Sequence, residues 1–369
     1  MIVEQVRVRP AVDFGGKVNL YANPYVIGAA IGVLSWIVFA IADDPLGITT
    51  SFSALAGLAA MPFVGAATVW HNSYWAQNAP SLSYGALFLV GVIAGAFAAA
   101  WFNRQIRLQT VPATWGQRFG YVPLWRYTAA FAGGAFEMYG ARLAGGCASG
   151  HGLSGTMQLA LSSWIFTIVM FATAVLAGSA MFNNESQMSL PVTDPLLLPL
   201  GIVFGFAFGW LLQRGGLADT EVIIAQLRLR NSALFKVMLT AIIVGGVGVF
   251  VLHHGGLAVY HVKSTNLLAV ALGAVLFGLG MALLGYCPGS ALAAVGTGSL
   301  HAFAGVFGML GGAIAFAFSF DWIKAKLLPV GAFGALRLPE MTGIPDPVWF
   351  AVVLLFGLFL LIILDRRHP

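Results

Sequence analysis

Nine apolar stretches, each near the ~20 residues needed to cross a ~30 Å hydrocarbon core, fall close to 24–42, 84–102, 127–143, 164–182, 196–213, 233–252, 267–284, 303–322 and 347–364. So little polar chain remains between them that water cannot be the main solvent of the molecule. Charged residues make up 8% of the sequence, against roughly 25% in soluble domains, and mean hydropathy is +0.88. With 46 glycines among 369 residues and no strand-like alternation, the pattern suits close-packed membrane helices better than a lipid-facing β-barrel. In lipid, a helix satisfies its backbone polar groups within one segment. The expected fold is an all-α polytopic membrane protein in the lipid bilayer.

Four shorter apolar segments, near 46–61, 147–161, 216–230 and 287–300, open on Gly, Thr, Pro or Ser. They are too short to span, so they read as re-entrant half-helices lining a protected pathway. The net charge of +5 and pI near 9.4 do not imply nucleic-acid binding, because the basic residues sit in short stretches flanking apolar spans, as positive-inside topology requires. Arg7, Arg9 and Lys17 in the tail, and Arg104, Arg107, Arg118 and Arg126 in the loop 103–126, mark candidate cytoplasmic segments. Arg214, Arg228, Arg230 and Lys236 would then lie outside, which weakens that orientation. The first apolar span is long for a signal peptide and reaches Asp43-Asp44 without a small-residue cleavage site, so it reads as a retained helix.

The chain repeats itself. Gly140-Ala-Arg-Leu-Ala-Gly-Gly-Cys147 aligns with Gly280-Met-Ala-Leu-Leu-Gly-Tyr-Cys287, glycines and cysteine in register. Gly47-Ile-Thr-Thr50 pairs more loosely with Gly216-Leu-Ala-Asp219. The divisions read from this are a tail 1–23, a first membrane repeat 24–190, a second 191–322, and a loop with an additional transmembrane helix over 323–369. An insertion in the first repeat falls within 63–82 and in the basic loop, and its Trp70, His71, Tyr74 and Trp75 read as an interfacial belt.

Both cysteines occur at a glycine-rich break. Around Gly145, Gly146 and Cys147, glycine is poor in helix interiors and a mid-membrane break follows. Ser149 or Ser154 is then expected to cap a new short helix running through Leu159 to Ser163, with its positive end in the break. In the second repeat Gly285 makes the break, Cys287 is expected at the cap, Pro288 in the first turn, and Ser290 follows. Such helix ends attract anions and stabilise thiolates. No CxxC or Cys/His spacing suggests zinc or haem, and nothing supports a disulfide. No cofactor is expected.

Other polar groups are fewer. Glu137 and Arg142 flank the first break and are expected to pair with each other or with neighbours. His151, four residues after Cys147, is expected to face it across one turn, and His301 reads as a packing histidine. Asp219 and Glu221 are expected to pair with Arg214, Arg228 or Arg230, and Arg142 and Arg214 are candidates to line the path. No intramembrane acidic pair announces a cation site, and no nucleotide-binding motif is present.

At Gly140-Ala-Arg-Leu-Ala-Gly-Gly-Cys-Ala-Ser-Gly-His151, Leu276-Phe-Gly-Leu-Gly280, Pro45-Leu-Gly-Ile-Thr-Thr50 and Gln213-Arg-Gly-Gly216, the sequence resembles the YeeE/YedE family of sulfur transport proteins, over about 24–322. The resemblance implies an hourglass of nine spanning and four short helices, and thiosulfate uptake in concert with a small TusA-like sulfur carrier on the cytoplasmic side. It also implies cysteines at the constriction that pass the anion by S–H hydrogen bonds, a role carried here by Cys147 and Cys287. Many members carry a further cysteine where this chain has Ala218. The resulting expectation is a non-enzymatic inner-membrane transporter of a small sulfur anion, with Gly145, Gly146 and Gly285 permitting close approach and Ser149 and His151 as secondary contacts. A membrane sulfurtransferase using a persulfide, a channel for selenite or sulfide, and a non-transporting scaffold are the competing readings.

Overall fold

The computed structural model describes residues 22–42, 48–81, 83–179, 198–229, 231–335 and 337–367. The basic tail and the division between the repeats near residue 190 lie outside them. Every apolar stretch is helical: α1 (Pro24–Ala42), α4 (Tyr84–Phe102), α6 (Pro123–Ala144), α7 (Leu161–Ser179), α8 (Leu198–Arg214), α10 (Ala233–His254), α11 (Leu267–Leu284), α13 (Leu300–Lys326) and α15 (Asp346–Arg367). Shorter helices lie between them: α2 (Thr49–Val64), α3 (Ala66–His71), α5 (Ala113–Phe119), α9 (Thr220–Leu227), α12 (Pro288–Gly296) and α14 (Leu338–Thr342). A single π-helical turn spans Gly150–Gly155. Among the described residues, β-structure is limited to isolated bridges such as Gln109 with Ser299.

Among the described residues, six helical stretches, containing α1, α4, α10, α11, α13 and α15, are long and apolar enough to cross a membrane. The chain is a multi-pass membrane protein. α6 is as long as α10 but carries Arg126, Glu137 and Arg142, which lower its hydropathy, and α8 has 17 residues.

Packing follows the repeat. α1 lies on α10 as α8 lies on α4; α6 packs on α13 as α11 packs on α7; α12 meets α4 as the π-turn meets α10. α6 and α11, the two helices that end at the cysteine breaks, cross each other at the centre of this arrangement. Glycines allow the backbones to touch there: a methyl group at Gly140 would lie 2.6 Å from the Phe277 amide nitrogen, and one at Gly280 would strike the Glu137 backbone. Lipid offers apolar side chains no advantage over each other, so close backbone approach is the main source of helix adhesion.

Two sequence expectations are corrected here. Tyr74 and Trp75 are fully buried rather than part of an interfacial belt: the Tyr74 hydroxyl donates to Ser53 Oγ at 2.9 Å and Trp75 Nε1 to the Ser53 carbonyl at 3.0 Å. Trp70 and His71 do face outward. Arg126, read as part of the basic loop 103–126, is instead in α6 and 1% exposed, and its guanidinium donates to the carbonyls of Leu283 (2.7 Å) and Leu284 (2.5 Å). These are orphan acceptors at the C-terminus of α11, where a cation also meets the negative end of the helix dipole. Asp219 caps α9 by accepting from the Glu221 amide at 2.9 Å, while Glu221 accepts from the Thr114 amide at 3.1 Å.

The last segment is tied to the first repeat. Arg337 donates to the Gln158 carbonyl (3.0 Å) and to Asp346 (2.6 Å), and its guanidinium lies 4.0 Å over the Tyr260 ring. α15 is the least buried of the long apolar helices, and Lys236 of α10 holds its end through Asp365 at 2.6 Å.

Candidate functional site

Both glycine breaks begin with the same geometry. Gly145 ends α6 at φ 81° and Gly285 ends α11 at φ 80°, in the left-handed region. A residue with a Cβ enters that region at a cost of about 1–2 kcal/mol. Each glycine donates its amide to the carbonyl four residues back, Ala141 in one case and Met281 in the other. Two residues later comes a cysteine. Cys147 is 1% exposed and Cys287 packs, partly buried, against the same continuous core; both are free thiols.

Beyond the thiols the repeats differ. Cys287 is the N-cap of α12, Pro288 occupies its first turn, and the Cys287 amide donates to Ser290 Oγ at 2.8 Å. In the first repeat the expected α-helix from Ser149 or Ser154 through Leu159 to Ser163 does not form. The chain makes the π-turn Gly150–Gly155 and then turns through Leu159, whose φ is +59°. Gly150, Gly152 and Gly155 within six residues make a regular helix costly. Ser149 makes no cap bond; its hydroxyl lies 3.1 Å from Cys147 Sγ.

His151 does not turn its ring polar atoms to the thiol. Nε2 is 2.6 Å from the Ala144 carbonyl and Nδ1 is 2.8 Å from Ser163 Oγ, while the ring stacks on Phe166 at 4.8 Å. A carbonyl only accepts, so Nε2 carries the hydrogen and Nδ1 accepts from the Ser163 hydroxyl. The imidazole is fully committed to holding the break against α7, and its backbone amide donates to the Cys147 carbonyl at 2.7 Å. Gly146 leaves room for that ring: a Cβ there would lie 2.9 Å from His151 Cδ2.

Arg142 and Glu137 do not pair. Five residues apart on α6, they point about 140° away from each other around the helix. Arg142 is completely buried, donates from Nη1 to Thr50 Oγ1 at 3.2 Å in the first turn of α2, and lies 6.0 Å over the Tyr74 ring. Its Nε and Nη2 have no partner, and neither do the Glu137 carboxyl oxygens. In the second repeat, 140 residues on, the corresponding positions are Phe277 and Ala282, so the fixed charges sit on one side of an otherwise symmetric pair. Arg214 stands apart at the end of α8, where Nη1 donates to Asn103 Oδ1 at 2.5 Å. Ala218 belongs to the core shared by both cysteines.

A cavity of about 30 Å³ opens beside Cys287, lined by Ala148, Met170, Met238, Met281 and Ser290 among others. That is room for one or two waters. A larger guest requires the lining side chains to move, and three of them are methionines, the most adaptable apolar residue. The sequence reads Tyr74 as part of an interfacial belt and Arg126 as part of the basic loop; their places here come from contacts with segments distant in sequence, Ser53 for Tyr74 and the end of α11 for Arg126.

A 123-residue stretch is 32% identical to the thiosulfate transporter TsuA of Spirochaeta thermophila, covering 33% of this chain and 37% of that protein. An 87-residue stretch is 34% identical to the thiosulfate transporter TsuA of Escherichia coli K12, covering 24% of this chain and 25% of that protein. The chain thus spans well under half the length of these relatives in its matched regions. No solved structure matches it. The family model described as sulphur transport matches residues 16–176 and again 214–369, one match for each half of the molecule, and the chain belongs to that YeeE/YedE sulphur transport family.

Proposed function

We propose that this protein takes up a small sulfur-containing anion, thiosulfate foremost, across the cell inner membrane, handing it between Cys147 and Cys287. The observation that carries the reading is the matched pair of breaks: Gly145 and Gly285 take the same left-handed cap, and each delivers a free thiol into one shared core. In this reading all nine apolar helices span the bilayer, and α2, the π-turn, α9 and α12 re-enter from either face. The short elements place amide ends inside the protein, where irregular backbone is tolerated only around a protected path.

Arg142 is the charge that attracts the anion. A buried guanidinium with one neutral hydrogen bond and no carboxylate partner is costly to keep, and the N-terminus of α2 beside it adds further positive potential. An anion at that point relieves both. The thiols then offer weak, neutral donors, and weak binding favours release. Ser149 and Ser290 hold Cys147 and the Cys287 backbone in place. Arg214, away from the thiols, serves nearer the entrance, and a TusA-like carrier on the cytoplasmic side would receive the product. A persulfide mechanism needs a base at one thiol. His151, its ring held by Ala144 and Ser163, is not free for that task, which favours the relay over a sulfurtransferase.

Uptake of radiolabelled thiosulfate into vesicles tests the proposal. Cys147→Ala and Cys287→Ala are each expected to cut the initial rate at least tenfold, with selenite and sulfide competing weakly. Equal uptake by all three proteins would exclude the relay, and a persulfide on either cysteine, detected by mass spectrometry, would favour the sulfurtransferase.

A further inference from the structure

Among the described residues, Glu137 is a buried acidic group that the relay leaves without a task. It is fully buried at the crossing of α6 and α11, its backbone against Gly280, and neither carboxyl oxygen has a hydrogen-bond partner. It lies on the helix whose terminal break carries Cys147 and against the helix whose terminal break carries Cys287. The surroundings hold nothing to balance a negative charge. α11 and α2 contain no titratable residue, and α12 contributes only its cap, Cys287. The part of α13 on α6, from Gly305 to Gly312, contains none either; its His301 is engaged by Ser299 and Thr220, and its Asp321 by Ser73. On α6 itself, Arg126 is spent on α11 carbonyls and Arg142 faces α2.

An ionised carboxylate in such a place is untenable, and a single negative charge roughly 6 Å from a bound anion weakens its binding by roughly a hundredfold. We infer that Glu137 is a proton-binding site: it stands as the neutral acid at the crossing of α6 and α11, the two helices that end at the thiol-bearing breaks, and lends its O–H to the passing anion. The carboxylic acid is then a stronger neutral donor than either thiol. It also makes the path conditional, open while Glu137 holds its proton and closed by repulsion when the proton leaves. Flux is present below the pKa of the carboxyl in the folded protein and is lost as pH rises through it.

The inference rests on the transport reading only for its uptake arm. In proteoliposomes, wild-type thiosulfate uptake is expected to fall at least tenfold as the external pH is raised across the carboxyl titration. Glu137→Gln, whose amide supplies a fixed neutral donor, is expected to transport with a flat pH profile, while Glu137→Asp keeps a pH-dependent one. The same falling profile in Glu137→Gln, or a variant that melts like the wild type yet takes up nothing at any pH, would overturn the inference. Infrared spectroscopy gives an arm independent of transport. The carbonyl band of a buried protonated carboxylic acid is expected at neutral pH, absent in Glu137→Gln and shifted in Glu137→Asp. If the wild type shows no such band, the inference fails; if it shows the band but takes up no thiosulfate, the transport reading fails and the proton site stands.

Discussion

Arg126 and Arg142 lie on one helix, both fully buried, and they have different partners. Arg126 closes the end of α11 through two charge-assisted bonds and lies over the Trp115 ring at 4.8 Å. Arg126→Met would orphan the Leu283 and Leu284 carbonyls beside a thiol-bearing break, and a loss of about 3 kcal/mol or more in stability is expected, read as a lower melting temperature in detergent. Arg142 makes one neutral hydrogen bond. Arg142→Met is therefore expected to leave the melting temperature within a few degrees of wild type while raising the KM for thiosulfate at least tenfold. A large stability loss in Arg142→Met would mean that the guanidinium is structural, not an anion seat. The sequence reads Arg126 as a charge of the basic loop and Arg142 as one flanking the first break; that both are buried, and which partners each one has, is decided only by the tertiary structure.

At the scale of helices, adhesion depends on which glycines lie in a crossing. Gly280 meets the α6 backbone at Glu137, while Gly311 meets only the tip of Phe131, 3.4 Å from where a Cβ would stand. Gly280→Ala is expected to lower the melting temperature substantially and to reduce uptake, because α6 and α11 carry the two breaks. Gly311→Ala is expected to be neutral or slightly stabilising, since alanine favours the helix by about 1 kcal/mol. Equal effects would disprove the crossing as drawn. The helices themselves were legible: α1, α4 and α11 coincide with their apolar stretches to the residue, since hydropathy marks a helix wherever lipid is its solvent. The π-turn was not legible. Gly150–Gly155 carries serine and glycine signals that suit a capped helix equally well, and the choice is made by the His151 ring bonding to Ala144 and Ser163.

Across the whole molecule, the C-terminal segment is attached by a few polar contacts rather than by a large apolar interface. Arg337 joins Gln158, Asp346 and the face of Tyr260, and Lys236 joins Asp365. Arg337→Ala is expected to speed amide exchange through 338–345 by an order of magnitude or more while leaving α6 and α11 protected, as measured by hydrogen exchange. Protection lost equally everywhere would show instead that this segment is integral to the core. The twofold pairing of helices had a visible origin in the sequence, because the glycine and cysteine text of 140–147 recurs at 280–287 and a repeated text folds into a repeated unit.

The sequence by itself determined the helical membrane class, the two repeats and the positions of the thiols at glycine breaks, because hydrophobic length and glycine content act locally along the chain. The tertiary structure alone decided what surrounds those breaks: that Tyr74 and Trp75 are buried, that Arg126 closes α11, that His151 is held on both sides, and that Glu137 and Arg142 part company. The physical reason is that a buried polar group takes its character from its partners. Those partners come from segments far away in sequence, so no local pattern of residues can specify them.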